Sequence, residues 1–206
     1  MAYVPQLLTL AAVLLLACIS PGPDFVAITS RALSSRRDGV HVAWGVTAGC
    51  VVWAALAMFG LGVVLTQLAG LYMAVRLGGA AYLVYLGGKM LWAARRPAPT
   101  LEVQAAEPQP RGGGLRRGFL VNMANPKAAV FFGSLFVTVL PAGAPAWVQG
   151  GTLLLVGVVA GAWFTALALM FSHGRVRAVY GRLRRPIDAV MGAALVGLGA
   201  RLAVSR

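Results

Sequence analysis

The sequence predicts an all-α polytopic membrane protein: six transmembrane helices built as two inverted three-helix repeats, with helices 1 and 4 broken at proline motifs. Three observations predict it. Of 206 residues, 59% are hydrophobic and 11% charged, too apolar for an ordinary soluble domain. Six stretches, near residues 5–30, 40–65, 69–94, 117–140, 147–172 and 186–204, are long enough to cross a membrane, which takes about 20 predominantly apolar residues. Finally, segments of the first half recur in the second at an offset of 112 residues.

The first span carries the strongest local signal. Its apolar run from Leu7 to Ile19 would make only about 20 Å of helix, so the span must continue through Ser20-Pro21-Gly22-Pro23-Asp24. Proline removes a backbone donor and clashes with the preceding turn, so the helix opens there. Inside a membrane, open backbone is tolerated only where protein buries it or it lines a polar cavity. Met1 to Gln6 contain no Lys or Arg, so no removable signal peptide is expected.

Loop charge orients the spans. Arg31, Arg36 and Arg37 follow span one; Arg95, Arg96, Arg111, Arg116 and Arg117 lie between spans three and four; Arg175, Arg177, Arg182, Arg184 and Arg185 lie between five and six. The other side, Gln67 to Gly70, Pro141 to Trp147 and both termini, has almost no charge. The positive-inside rule places the three basic loops in the cytoplasm and both termini outside. The net charge of +13 is thus topological anchoring, and no nucleic-acid partner is expected. Residues 97–114, rich in Pro and Gly, read as a cytoplasmic linker with solvated Glu102 and Glu107. It separates a first repeat at 1–96 from a second at 115–206.

At the offset of 112, Gly45 to Phe59 match Gly157 to Phe171 at seven of fifteen positions, and Ala81, Leu83, Val84, Leu86 and Gly87 match Ala193, Leu195, Val196, Leu198 and Gly199. Three spans per half is an odd number, so the halves have opposite orientation, an arrangement that lets a transporter alternate its access. Gly45-x-x-x-Gly49 and Gly157-x-x-x-Gly161 let helices approach closely. They are expected to pack span two on span five or, alternatively, to build a homo-oligomer.

Span four contains the second break, Asn122-Met123-Ala124-Asn125-Pro126-Lys127. By helical rise Asp24 lies about 10 Å inside Arg31 and Lys127 about 15 Å inside Arg117, so an acid, a base and two amides share a depth. The breaks do not follow the offset of 112, since Pro23 would map to Leu135. An ionised Asp24 at that depth must pair with Lys127 or take a proton; alternatively it caps the helix restarting at Phe25. Lys127 faces the same site or snorkels to the cytoplasmic surface. Asp188, beside Arg184 and Arg185, is expected in an interfacial ion pair. Cys18 and Cys50 read as packing residues. Trp53 and Trp163 either line the cavity or meet lipid.

The two break motifs resemble those of the LysE/RhtB family of bacterial amino-acid exporters, the homoserine/threonine/lysine efflux type, and the likeness covers the whole chain in length and span layout. The resemblance implies export of an amino acid or close relative across the bacterial plasma (inner) membrane, driven by proton antiport, with no cofactor. It implies as substrate- and proton-binding residues Pro21, Gly22, Pro23, Asp24, Asn122, Asn125, Pro126 and Lys127. The partners are then an amino acid, protons and the lipid bilayer. With one deep carboxylate, the site suits a neutral zwitterion better than a basic amino acid.

Other classes fit less well. A metal-cation exporter would need more than one buried acid and a His or Cys cluster, whereas His41 and His173 sit near span ends. A membrane enzyme would need paired carboxylates, a nucleophile with its base or zinc-ligand spacing. A non-transporting assembly protein would leave both breaks unexplained.

Overall fold

A computed structural model describes residues 3–67, 69–95, 113–139 and 144–172, and within the last stretch 185–186, 188–190, 192–197, 199–200 and 203–204. Its helices are α1 (Val4–Ile19), α2 (Pro23–Ser34), α3 (Arg36–Gln67), α4 (Ala69–Arg95), α5 (Gly114–Met123), α6 (Pro126–Val139) and α7 (Ala146–Phe171). A short apolar helix, α8 (Asp188–Gly197), follows. No strand occurs among the described residues.

Both expected breaks are present. α1 and α2 meet at a bend of 59°, with Pro23 as the first residue of α2, where its missing N–H is not needed. α5 and α6 part at Ala124 and Asn125, and α6 restarts at Pro126. The two restarts are alike: proline opens each helix and a charged residue, Asp24 or Lys127, follows it. α2 has 12 residues and α5 has 10, so helical rise puts the breaks about 18 and 15 Å from the Ser34 and Gly114 ends.

Those two ends lie together. A Cβ added at Gly114 would come within 2.9 Å of His41 Cβ, and one at Gly39 within 2.7 Å of Ala32 Cα. Arg31, Arg36, Arg37, Arg116 and Arg117 therefore gather at one end of the bundle. At the other, Tyr3 meets Trp147 edge-on, with ring centroids 5.9 Å apart.

From the basic end α3 runs parallel to α5 at a spacing that only glycine allows. A Cβ at Gly45 would overlap the Leu115 carbonyl, one at Gly118 the Val42 carbonyl, and one at Gly49 the Asn122 side chain. This corrects part of the sequence expectation, because Gly45 and Gly49 face the fourth span rather than the fifth. Gly157 and Gly161 do face α3, at ordinary contact: added Cβ atoms would lie 3.6 Å from Val51 Cγ2 and 3.5 Å from Thr47 Cγ2.

α4 and the C-terminal helical residues meet through a second glycine crossing. A Cβ at Gly87 would stand 2.5 Å from the Gly192 carbonyl and 2.8 Å from Val196 Cγ2; one at Gly199 would stand 2.8 Å from the Ala80 carbonyl and 2.9 Å from Val84 Cγ2. Residues 112 apart thus exchange roles across the contact.

α3, over Arg36–Gly60, and α7 are each long and apolar enough to span a membrane, and the bent α1–α2 pair passes the same test together. The third, fourth and sixth expected spans do not pass among the described residues. The fourth is shortened by its break and made polar by Arg116, Arg117, Asn122, Asn125 and Lys127. Leu10, Leu14, Ile28, Val42, Val46, Phe132, Leu135 and Phe171 are buried between the helices, while Leu8, Trp44, Trp147 and Leu154 are exposed. Large exposed apolar side chains of this kind suit a hydrocarbon surround. Residues 96–112, with most of the linker, and 173–184, with His173 and four arginines of the third basic loop, lie outside the described residues.

Candidate functional site

The site forms where the two breaks face each other, and its chemistry begins with carbonyl groups whose helical donor proline removes. In a continuous helix the carbonyl of Ala17 would accept from residue 21 and that of Asn122 from residue 126. Both positions are proline. Asn122 O turns to the Asn125 N–H at 3.0 Å, whereas Ala17 O must find a side-chain partner, since an unsatisfied buried carbonyl is costly.

Side chains from the other half bond the carbonyls at each break. Lys127 Nζ donates to Ala17 O at 3.3 Å and to Ser20 O at 3.2 Å. Trp163 Nε1 donates to Cys18 O at 3.0 Å. At the second break, Trp53 Nε1 donates to Asn122 O at 3.2 Å. Lys127 therefore reaches across to the first break rather than snorkelling to the surface, and its ammonium does not pair directly with Asp24.

Asp24 is held by amides. Asn122 Nδ2 donates to its Oδ2 at 3.0 Å and Asn125 Nδ2 to the same oxygen at 2.9 Å. Asn125 also accepts from the Lys127 backbone N–H through Oδ1 at 3.0 Å, an N-cap bond that stabilises the start of α6. Asp24 does not serve as a cap; Gly22 holds that position on α2, with no side-chain bond. Asn122 is 0% and Asn125 3% exposed, so neither amide can turn to water without repacking.

Two acceptors remain open. Asp24 Oδ1 and Asn122 Oδ1 are buried with no hydrogen-bond partner among the described residues. They line a cavity of ≈ 40 Å³ together with Cys18, Ser20, Cys50, Lys127 and Phe164, enough for water but smaller than an amino acid. The chemistry is bipolar, with an acidic pole at Asp24, whose Oδ1 has no donor among the described residues, and a basic pole at Lys127 cradled by carbonyls.

The structure brings together Asp24, Asn122, Asn125 and Lys127 as expected, with Gly22 beside Lys127: a Cβ there would lie 3.6 Å from Nζ. Pro21, Pro23 and Pro126 act through the backbone. Cys18 and Cys50 do more than pack; both line the cavity, and Asn122 Nδ2 lies 3.5 Å from Cys50 Sγ. Asp188 is buried, at 4% exposed. Arg185 is exposed. Sequence reasoning missed Ser20 as an acceptor and Met90 near it, where Ser20 Oγ donates to Met90 Sδ at 3.3 Å.

The chain matches the family described as LysE type translocator over residues 15–206. It is 35% identical to the threonine efflux protein of Escherichia coli K12 over 206 residues, covering 97% of this chain and 98% of that protein. It is 34% identical to the threonine efflux protein of Salmonella typhi over 203 residues, covering 96% and 97%. An uncharacterized membrane protein of Escherichia coli K12, YahN, is 30% identical over 190 residues, covering 89% and 82%. No solved structure matches the chain.

Proposed function

The chain belongs to the LysE type translocator family, and from that premise we propose that it is a secondary transporter exporting a small neutral amino acid, threonine or a close relative, in exchange for protons. It is a translocator and not an enzyme. The observation that carries the proposal is the bipolar site at the facing breaks. A zwitterion needs an acceptor for its ammonium and a donor for its carboxylate. Among the described residues, Asp24 Oδ1 and Asn122 Oδ1 are buried acceptors without donors, and Lys127 Nζ is held by two backbone carbonyls.

In this scheme Asp24 alternates between a proton and the substrate ammonium. Protonated, it is neutral and keeps its bonds from the two amides; ionised, it attracts the ammonium. Lys127 and backbone amides near the breaks hold the carboxylate. Asn125 keeps the two poles in register, since its amide nitrogen bonds Asp24 while its oxygen bonds the Lys127 N–H. The small cavity fits a contracted state that must widen to admit substrate.

The proposed architecture is six spans in two inverted repeats, 1–96 and 115–206, in the plasma membrane, with basic loops cytoplasmic and termini outside. The reciprocal contact of Gly87 and Gly199 with Gly192 and Ala80 supports it, as does the segregation of Arg31, Arg36, Arg37, Arg116 and Arg117 at one end of the bundle.

The test is uptake of a panel of labelled amino acids into energised inverted vesicles. Accumulation of threonine-like neutral amino acids that stops when the proton gradient is collapsed is expected. Transport of lysine and arginine alone would contradict the substrate class, and no amino-acid uptake by correctly inserted protein would contradict the function.

A further inference from the structure

The two indole bonds at the breaks cross between the halves. Trp53 stands on α3, in the first half, and holds the last turn of α5 in the second; Trp163 stands on α7, in the second half, and holds the last turn of α1 in the first. Each acts on a different pole. Asn122, whose carbonyl Trp53 holds, is the residue whose amide donates to Asp24 at 3.0 Å. Cys18, whose carbonyl Trp163 holds, lies between Ala17 and Ser20, whose carbonyls cradle Lys127.

A tryptophan that merely filled space would need an apolar pocket, and its N–H would find whatever acceptor lay near. Here both indoles bond backbone carbonyls at the breaks, and Asn122 O, which loses its helical donor to Pro126, accepts from Trp53 Nε1 as well as from the Asn125 N–H. We infer that Trp53 and Trp163 are positioning residues, each a strut by which one long helix holds one charged pole of the site. Trp53 sets Asn122 against Asp24, and Trp163 sets the carbonyl cradle of Lys127. Movement of α3 is then felt at the proton-carrying pole and movement of α7 at the carboxylate-holding pole. The inference rests on the proposed exchange at Asp24 and Lys127.

The test uses Trp53→Phe and Trp163→Phe in the full chain, with transport in inverted vesicles and hydrogen–deuterium exchange on the purified protein. Loss of one hydrogen bond predicts changes of about threefold to tenfold. Trp163→Phe should raise KM for the amino acid by that factor, leave the pH profile of transport in place, and speed exchange at residues 20–26. Trp53→Phe should displace the pH profile, leave KM near the parent value, and speed exchange at residues 122–127. Trp53→His and Trp163→His retain a ring N–H and should restore part of each loss; they also stand in if a Phe variant fails to insert.

Parent-like KM, pH profile and exchange in both variants would overturn the inference. So would equal loosening of both breaks by either variant, which marks a general loss of packing. If the parent chain itself moves no amino acid, the proposed function falls, while the exchange pattern still decides whether each indole holds the opposite break.

Discussion

Asp24 and Lys127 differ in what surrounds them, and that difference separates their expected phenotypes. Asp24 takes both amide bonds on one oxygen and leaves the other open among the described residues. Asp24→Asn keeps the volume but cannot alternate between a proton and a cation, so gradient-driven uptake should fall to background while the protein still inserts. Lys127→Met removes the donor proposed for the substrate carboxylate. A hydrogen bond involving a charged group contributes about 1.5–3 kcal/mol, so KM should rise roughly tenfold to a hundredfold. Asn125→Ala breaks two links at once, the bond to Asp24 and the cap of α6. It should therefore lower both transport and thermal stability, the cap alone costing about 1 kcal/mol, which a melting curve in detergent will show.

At the scale of helices, the breaks were legible because they are local. Proline lacks an N–H wherever it stands, and Pro21, Pro23 and Pro126 mark the interruptions that the structure shows. Their shared depth followed from counting helical rise. What joins them was not legible, because the bond from Asn122 to Asp24 links residues 98 apart and no short-range pattern encodes it. Cys18 and Cys50 read as packing for the same reason, since only the meeting of two breaks turns their positions into a cavity wall. The glycine motifs show a related limit: spacing announces a close approach but not the partner, and Gly45 and Gly49 face α5. Gly45→Ala should disrupt that crossing, because the added methyl meets the Leu115 backbone rather than a side chain that can turn aside. Overpacking of this kind costs about 1–3 kcal/mol, so the folded yield and melting temperature should fall. Gly157→Ala, with its nearest neighbour at 3.6 Å, should change stability little.

For the whole molecule, the crossing of α4 with the C-terminal helical residues is a physical counterpart of the sequence repeat. If the halves are related by a two-fold axis in the membrane plane, Gly87→Leu and Gly199→Leu should impair transport to a similar degree. Topology offers an independent check: Gln104→Cys should react with an impermeant thiol reagent only from the cytoplasmic face and Ser205→Cys only from outside. The central claim is that one carboxylate trades a proton for the substrate ammonium, and a proton-release measurement tests it most directly. With the purified protein in proteoliposomes holding a pH-sensitive dye, an inward or outward threonine gradient should move protons in the opposite direction, and Asp24→Asn should abolish that movement. Proton movement by Asp24→Asn equal to that of the parent, or threonine flux without any proton movement in the parent, would contradict it.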